Sequence, residues 1–466
     1  MMKLFGRLHI EFVGIGLGYL AINLINNMVA MAYPKLMKTF HIDYNTLMWL
    51  NVSYVVVFTV SMPVTGALSD RLGHRRSYVI GLAGLAMATL AEAAAWNFGS
   101  FMVFGTVEAL SAGFMIPAQL SILHTRYPDK LSTAFTYIST AGFFAAIGGP
   151  FLAGLLLQTF GWRSMFLIAC GMATATFTYF MFAIQRAEEP PKEHSAFDYR
   201  GAVIFIVAFL LLQIGIKVMV ASRVDALTSG ILLASLLLFG LLVSLERQTP
   251  EAFLPTELLS NNAYWITCFV ATLTMTVTQG FIYSVPSYLQ LGVGFSPVVA
   301  GGILTVEAIV GLLFTWTVRK KIFDAWGWDI ALQLGILVSI FGIGSLIAIH
   351  SHNELLFAGI IALFEIGQTL IGPSLNAQVK NWVPEPLRGK ANGFYSTIRY
   401  SGGAFAASVS GPLLRRLGRP GSAQQSRFEY ARFLEILAAL LVLALVIAAI
   451  KTVTKTDKRL TTSKGV

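Results

Sequence analysis

The sequence predicts an all-α membrane protein built as a bundle of fourteen spanning helices, and three observations carry that reading. Of its 466 residues 56% are hydrophobic, and the mean hydropathy is +0.70. Only 12% are charged, where soluble domains carry about 25%. Apolar runs of about 17 to 25 residues, the length that crosses the hydrocarbon of a bilayer, follow one another from end to end. Bounded by charge, Pro, Asn or Gly, they fall near 12–33, 46–66, 77–96, 101–123, 133–157, 164–184, 201–221, 229–245, 263–288, 299–318, 329–349, 355–376, 391–413 and 431–450. The first has no small-residue cleavage site behind it and is too long for a signal-peptide core, so it reads as a retained span.

An even number of spans puts both termini on one side. The termini and the turns near 71–76, 124–132, 185–200, 246–262, 319–321 and 380–390 hold about 22 of the 33 Lys and Arg, which makes that side cytoplasmic in a multi-pass plasma-membrane protein. The net charge of +10 is therefore a topology signal and not a sign of a nucleic-acid partner. Arg415, Arg416, Arg419 and Arg427, in the outer turn before the last span, run against the rule, and the sequence offers no reason for them. Cys170 and Cys268 lie inside apolar runs and read as packing residues, with no disulfide framework and no metal site. A phosphate loop and a nucleophile elbow are both missing, so neither an enzyme nor a bound cofactor is expected.

Two proline-bearing, mixed-charge stretches, "QRAEEPPKEHSAFDYR" (185–200) and "ERQTPEAFLPTELLSNN" (246–262), bracket only two spans. The expected organisation is a six-helix bundle over 1–184, a linker with two inserted helices over 185–262, a second six-helix bundle over 263–452 and a basic cytoplasmic tail over 453–466. A short internal repeat agrees: "GALSDRLGHRR" (66–76) follows the second span and "TVRKKIFDAWG" (317–327) follows the tenth, with Asp70 and Gly73 matching Asp324 and Gly327. Paired halves with a site between them are a common plan of secondary transporters.

"GALSDRLGHRR" resembles the loop signature GxLxDRxGRR of the major facilitator superfamily, through Gly66, Leu68, Asp70, Arg71, Gly73, Arg75 and Arg76. "AAIGGPFLAGLLLQTFGWR" resembles the antiporter signature GxxxGPxxGG, through Ala145, Gly149, Pro150, Ala153 and Gly154, followed by Gly161-Trp162-Arg163. With fourteen spans, the "FDYRG" that opens the seventh (197–201) and "LRGKANGFYSTIRYSGGAFAAS" (387–408), the chain is similar along nearly its whole length to the fourteen-helix drug:proton antiporter branch. The resemblance implies the major facilitator fold, a conformational latch at the 66–76 loop, alternating access, and export of hydrophobic or amphipathic compounds in exchange for protons. It makes multidrug efflux and antibiotic resistance the leading reading. A dedicated exporter of one native metabolite, lipid or peptide stays open, as does a transporter-like sensor or scaffold without coupling. The expected partners are small hydrophobic or amphipathic substrates, protons and membrane lipids, with the protein working as a monomer.

The chain departs from the branch where the chemistry lies. Aligning Ala32-Tyr33-Pro34 on the branch's first-helix signature puts Ile25 where the proton-binding aspartate belongs. Aligning "GTVEALSAG" on the fourth-helix signature puts Gly105 in place of an arginine and Glu108 in place of a glutamine. The search for a proton carrier thus moves to carboxylates inside the bilayer, where ionisable groups are costly and face a cavity or a partner. Counting helical rise, Glu108 lies roughly 10 Å below the outer end of its span, Glu307 roughly 12 Å, Glu365 about at the midplane, and Arg399 roughly 12 Å from the inner face. Glu307, Glu365 and Glu108 are the proton-coupling candidates, and Arg399 is a candidate ion-pair partner for Glu365. Glu92 and Lys217 sit close enough to an outer end to be assigned there as snorkelling side chains. Tyr19, Phe114, Met115, Gln279, Tyr283 and Gln368 are candidates for an apolar substrate chamber. Asn23, Asn26 and Asn27, at i, i+3 and i+4 on one helix face, either hydrogen-bond between helices, worth about 0.6 to 2 kcal/mol each, or line the substrate path. Amides do not titrate, so they carry no proton.

Overall fold

The computed structural model describes residues 2–126, 131–183, 198–221, 225–248, 258, 261–349, 351–383, 388–415 and 423–463. Every regular element among them is helical. Helix α1 is Met2–Val29, running on through the 3-10 turn Ala30–Ala32 into Tyr33–Phe40. The proline at the start of that last piece has no N–H to lose there, and His41 ends it at φ 52°. Then follow α2 (Tyr44–Leu72), α3 (His74–Ala93), α4 (Phe98–Arg126), α5 (Leu131–Thr159), α6 (Arg163–Ala183), α7 (Tyr199–Ala221) and α8 (Ala226–Glu246). The remainder are α9 (Asn262–Ser287, prolonged by the π turn Tyr288–Val293), α10 (Pro297–Phe314, prolonged by the π turn Thr315–Arg319), α11 (Lys320–Ala348), α12 (Glu354–Trp382), α13 (Arg388–Leu413) and α14 (Ala423–Ser463). These are the fourteen predicted spans. By length and hydropathy alone eleven stretches qualify, with Pro297–Ala348 counting once for two helices. The small-residue-rich α3 and α13 complete the number.

Side chains at the starts of several helices cap them. Asp43 accepts from Thr46 N at 2.8 Å before α2, and Ser296 and Asn353 do the same work before α10 and α12. Each bond satisfies one of the free N–H groups that a helix start leaves.

Six helices on each side of the inserted pair repeat one packing scheme. In the first half α3 packs on α4 and α6, α1 on α5 and α6, and α2 on α4; in the second, α11 packs on α12 and α14, α9 on α13 and α14, and α10 on α12. The pairs correspond one to one when eight is added to each number. The halves meet along two crossings that the same rule exchanges, α5 with α10 and α2 with α13. The repeat reaches backbone detail, because Gly73 (φ 88°) and Gly327 (φ 74°) both take the left-handed conformation that glycine alone adopts without strain. Around Gly73, Ser69 Oγ and His74 Nδ1 lie 3.0 Å apart and Arg75 donates to Phe180 O at 3.2 Å. The side chains of Asp70 and Arg71, the centre of the expected latch, lie outside the described residues, as do most of the 185–200 linker, Arg416 and Arg419.

Helix α5 is where the small-residue signature acts. Ala145 is fully buried. A Cβ built on Gly149 would lie 2.9 Å from Asn27 Cβ on α1, and one on Gly154 2.4 Å from Pro297 O on α10. From the other side, a Cβ on Gly301 would meet Pro150 O at 2.3 Å. The backbones of α5 and α10 therefore touch, as small residues permit inside a membrane.

The inserted α7 packs on α13 and α2, and α8 packs on α7. Lys217 on α7 does not snorkel: it is 1% exposed. Its ammonium donates to Asn45 O at 3.1 Å and sits 4.1 Å from the ring centre of Trp49. A helical side chain tilts towards its own N-terminus, and on α7 that direction leads back towards the end that carries the chain termini. Ser408 Oγ on α13 donates to Gln213 at 3.3 Å, so α7 holds both halves at once.

The α5–α10 contact gives a paired expectation. Gly301→Ala inserts a methyl against the Pro150 carbonyl and will destabilise by about 1 to 3 kcal/mol. Gly302→Ala, with nothing within 4 Å, will be neutral or slightly stabilising, and thermal unfolding of the two variants in detergent compares them directly.

Candidate functional site

Between the halves lies a cavity of about 340 Å³. Its walls come from α1, α2, α3 and α4 of the first half and from α9 and α13 of the second. Hydrogen bonds across the halves include Tyr44 Oη to Tyr283 O at 2.9 Å and Gln290 Nε2 to Met31 O at 3.1 Å, both at the end opposite the chain termini. A Cβ on Gly411 would meet Asn45 Oδ1 at 2.9 Å, so α13 and α2 also close together at that end. The cavity lies below this seal, with Tyr33 and Tyr283 in its roof.

Of the residues singled out in the sequence, Tyr19, Asn23, Asn26, Asn27, Glu108, Gln279 and Tyr283 line the cavity together. Met115 does not: it is buried against Gly18 and Gly81 in the core of the first half. Phe114 is not among the lining residues. Gln368 instead bonds within the second half, accepting from Thr278 at 2.7 Å and donating to Ser339 at 3.1 Å. Tyr33, Asn51, Tyr54, Phe58 and Tyr400 add to the polar and aromatic wall, with Met275 beside them. The periodicity of one span cannot reveal them, since these helices are covered on nearly every side.

The three asparagines separate. Asn23 spends its amide on Tyr19 O of its own helix at 2.8 Å, and Asn27 on Asn23 O at 2.7 Å. Among the described residues, Asn26 alone of the three hydrogen-bonds to another helix, donating to Tyr54 Oη on α2 at 3.3 Å. The Tyr54 hydroxyl in turn stands beside Glu108.

Glu108 has a neighbour that sequence reasoning had placed at the outer surface. Glu92 is 2% exposed, lines the cavity, and its carboxyl stands beside that of Glu108. The reason is the direction of the chain. On α3 the N-terminal tilt carries the Glu92 side chain towards the end with the chain termini, and on the antiparallel α4 it carries Glu108 towards the opposite end, so the two meet. Gly105 makes the room, because a Cβ there would already lie 3.2 Å from Glu92 Oε1. Glu92 Oε2 and Glu108 Oε1 are buried and, among the described residues, have no hydrogen-bond partner.

Glu307 and Glu365 form a second carboxyl pair within the second half. Glu365 packs against Gly311, where a Cβ would lie 3.2 Å from its Oε1. Gly311 is one helical turn from Glu307, and the two carboxyls interact electrostatically. Neither lines the cavity. Arg399 does not join them: its guanidinium lies 3.5 Å from a Cβ built on Gly372, two turns along α12 from Glu365, and no Glu365–Arg399 ion pair occurs among the described residues. Of the outer arginines, Arg427 has a role, donating to Gly292 O at 3.3 Å at the end of α9 and lying 3.2 Å from His352 Nε2. A cation at a helix C-terminus is electrostatically favoured. No cluster of metal-ligating side chains occurs among the described residues.

Residues 15–407 match the family model of the Major Facilitator Superfamily. The chain belongs to that superfamily. Among curated relatives, the tetracenomycin C resistance and export protein of Streptomyces glaucescens is 25% identical over 415 residues, 88% of this chain and 76% of that one. The multidrug efflux pump LfrA of Mycolicibacterium smegmatis is 23% identical, over 87% of this chain and 81% of its own length. Among solved structures, a POT family transporter in complex with 5-aminolevulinic acid superposes with a TM-score of 0.65 at 13% identity, covering 96% of each chain. This superfamily member is thus a multi-pass membrane transporter by family, with drug-efflux and resistance proteins among its relatives.

The geometry separates the three amides by experiment. Asn26→Ala removes the α1–α2 bond and will lower stability by about 0.6 to 2 kcal/mol, whereas Asn23→Ala, whose amide serves its own helix, will stay within about 0.5 kcal/mol. Thermal unfolding of the detergent-solubilised variants measures both.

Proposed function

We propose that the protein exports hydrophobic or amphipathic compounds in exchange for protons, its two halves rocking about the α5–α10 and α2–α13 crossings. One observation carries the reading: the Glu92–Glu108 carboxyl pair stands on the wall of a cavity between the halves, beneath a seal at the end opposite the termini. The Lys and Arg bias makes that end the outer one, so the cavity loads from the cytoplasm.

Two adjacent carboxyl groups in a site of low dielectric repel each other when both are ionised, and a proton relieves the repulsion. A compound entering the cavity changes the same local field and water content, which links its occupancy to that proton. In the outward-facing state the proton binds, and in the inward-facing state it leaves. The remaining wall, aromatic rings with a few amides, suits poorly hydrated ligands held by shape and stacking. The resistance and efflux relatives support this direction of transport.

A second reading, export of one compact native compound, draws on the size of the cavity. Its 340 Å³ stands near the lower end of the about 300 to 1,000 Å³ usual for small-molecule sites. A panel of amphipathic dyes and drugs of increasing volume separates broad from narrow acceptance.

Coupling is tested in liposomes under an imposed proton gradient, following ethidium and proton fluxes together. Glu108→Gln and Glu92→Gln will each lower gradient-driven export by about tenfold or more. Glu365→Gln and Glu307→Gln will have smaller effects, because that pair lies away from the cavity. Wild-type flux ratios in both Glu108→Gln and Glu92→Gln would remove the pair from coupling.

A further inference from the structure

A second cavity, of about 240 Å³, lies outside the central one, where the inserted helices meet the second half. Phe205 and Phe209 of α7, Phe239 and Leu242 of α8, Trp265 of α9 and Phe394 of α13 surround it. Its only hydroxyls, on Thr397 and Ser401, are spent on carbonyls of their own helix, Gly393 O at 3.1 Å and Ile398 O at 2.6 Å. Nothing in the lining solicits a polar ligand. The groove is also shut off from the transport cavity, since α9 and α13 touch between them: a Cβ on Gly402 would lie 2.6 Å from Thr272 O.

All of its walls are membrane-spanning, so what borders it is hydrocarbon, in the half of the bilayer on the side of the termini. Its volume falls below that of sites taking a drug-sized molecule whole, about 300 to 1,000 Å³. A single chain fits better than a fused-ring compound. At the terminal end of the groove two cations stand exposed, Arg200 at the start of α7 and Arg247 at the end of α8. By helical rise they lie roughly 7.5 Å beyond Phe205 and roughly 6 Å beyond Val243, which also lines the groove. Among the described residues, the acidic groups at this end are Asp198 and Glu246, both packed against Gly201. Asp198 accepts from Gly201 N at 2.9 Å, and Glu246, 1% exposed, packs against Gly201 between the two helices.

We propose that this groove is a lipid site, taking one acyl chain of an anionic phospholipid with the phosphate held at Arg200 and Arg247. An apolar slot open to hydrocarbon and a cationic rim at headgroup depth are the two halves of such a ligand. The site also gives the inserted pair a function: α8, which packs on α7, is wedged to the second half by the bound chain. This proposal does not depend on what the central cavity transports.

Native mass spectrometry of the full-length protein, released from detergent with phosphatidylglycerol or phosphatidylcholine of identical chains, tests it. The wild type will retain phosphatidylglycerol over phosphatidylcholine by roughly tenfold. Leu242→Trp, which fills the slot, will abolish retention of phosphatidylglycerol, and Arg200→Gln with Arg247→Gln will bring the two lipids to parity. Phe341→Trp, on an exposed face elsewhere, will retain lipid as the wild type does. Equal retention of the two lipids by the wild type overturns the proposal. Unchanged preference in the double arginine variant also overturns it, and that variant decides the matter if Leu242→Trp does not fold. Displacement of phosphatidylglycerol by ethidium at transport concentrations would make the groove a substrate site and likewise overturn the lipid assignment.

Discussion

The arrangement depends on backbone contact between the two halves. Where α5 crosses α10, the Pro150 and Pro297 carbonyls stand where a side chain on Gly301 or Gly154 would begin. Where α2 crosses α13, Gly411 is pressed against Asn45 and Met48 in the same way. Lipid supplies no hydrophobic drive for helices to associate, so close packing and a few polar bonds must do it. Contacts of this kind are made over a narrow range of distances and lost together. They therefore suit a hinge with two discrete positions better than a surface that deforms gradually. The cavity exists because the same crossings hold the halves together at one end while the side chains below them, mainly Tyr, Asn and Glu, leave space.

Inside that space the chemistry follows from helix direction. Neighbouring antiparallel helices tilt their side chains towards opposite ends, so two residues far apart in depth by counting can meet. Glu92 and Glu108 do so, over the gap left by Gly105. The resemblance to antiporters places an arginine at position 105 and an aspartate at position 25. Here glycine and isoleucine stand there, and Ile25 is buried. The buried carboxyls of this half stand instead on α3 and α4, with an amide from α1 reaching Tyr54 beside them.

Much of this fold was legible in the sequence because a bilayer imposes one simple demand, a run of apolar residues for each crossing. All fourteen helices, the matched glycine turns after α2 and α10, and the small-residue face of α5 follow from local pattern. What local pattern does not fix is the rotation of a helix that has neighbours all round. Met115 and Asn26 have similar claims on the cavity by composition. The first turns into the core beside Gly18 and Gly81, the second into the cavity beside Tyr54. Depth counting failed for Glu92 and Lys217 for a different reason: it places the Cα, while the end of a long side chain lies a turn or more away in the direction the helix dictates. Arg427 departs from the charge rule because that rule describes solvated loops, and its guanidinium is bound to the carbonyl end of α9.

The internal repeat extends to the buried polar residues. Tyr54 stands ten residues after the start of α2 and Glu307 ten after the start of α10, the helix that corresponds to it. Glu108 stands ten residues after the start of α4, and Glu365 eleven after the start of α12. The Tyr54–Glu108 pairing in the first half is thus the positional counterpart of the electrostatic Glu307–Glu365 pairing in the second. Two departures from symmetry distinguish them. The first half adds Glu92 from α3 and Asn26 from α1, extending a pair into a chain of polar groups across four helices. That extension brings the carboxyls onto the cavity wall, whereas the pair on α10 and α12 stays within its own half. The repeated fold accounts for the matching positions on the second and fourth helices of each half, and the added Glu92 and Asn26 account for why the carboxyls on the cavity wall come from the first half.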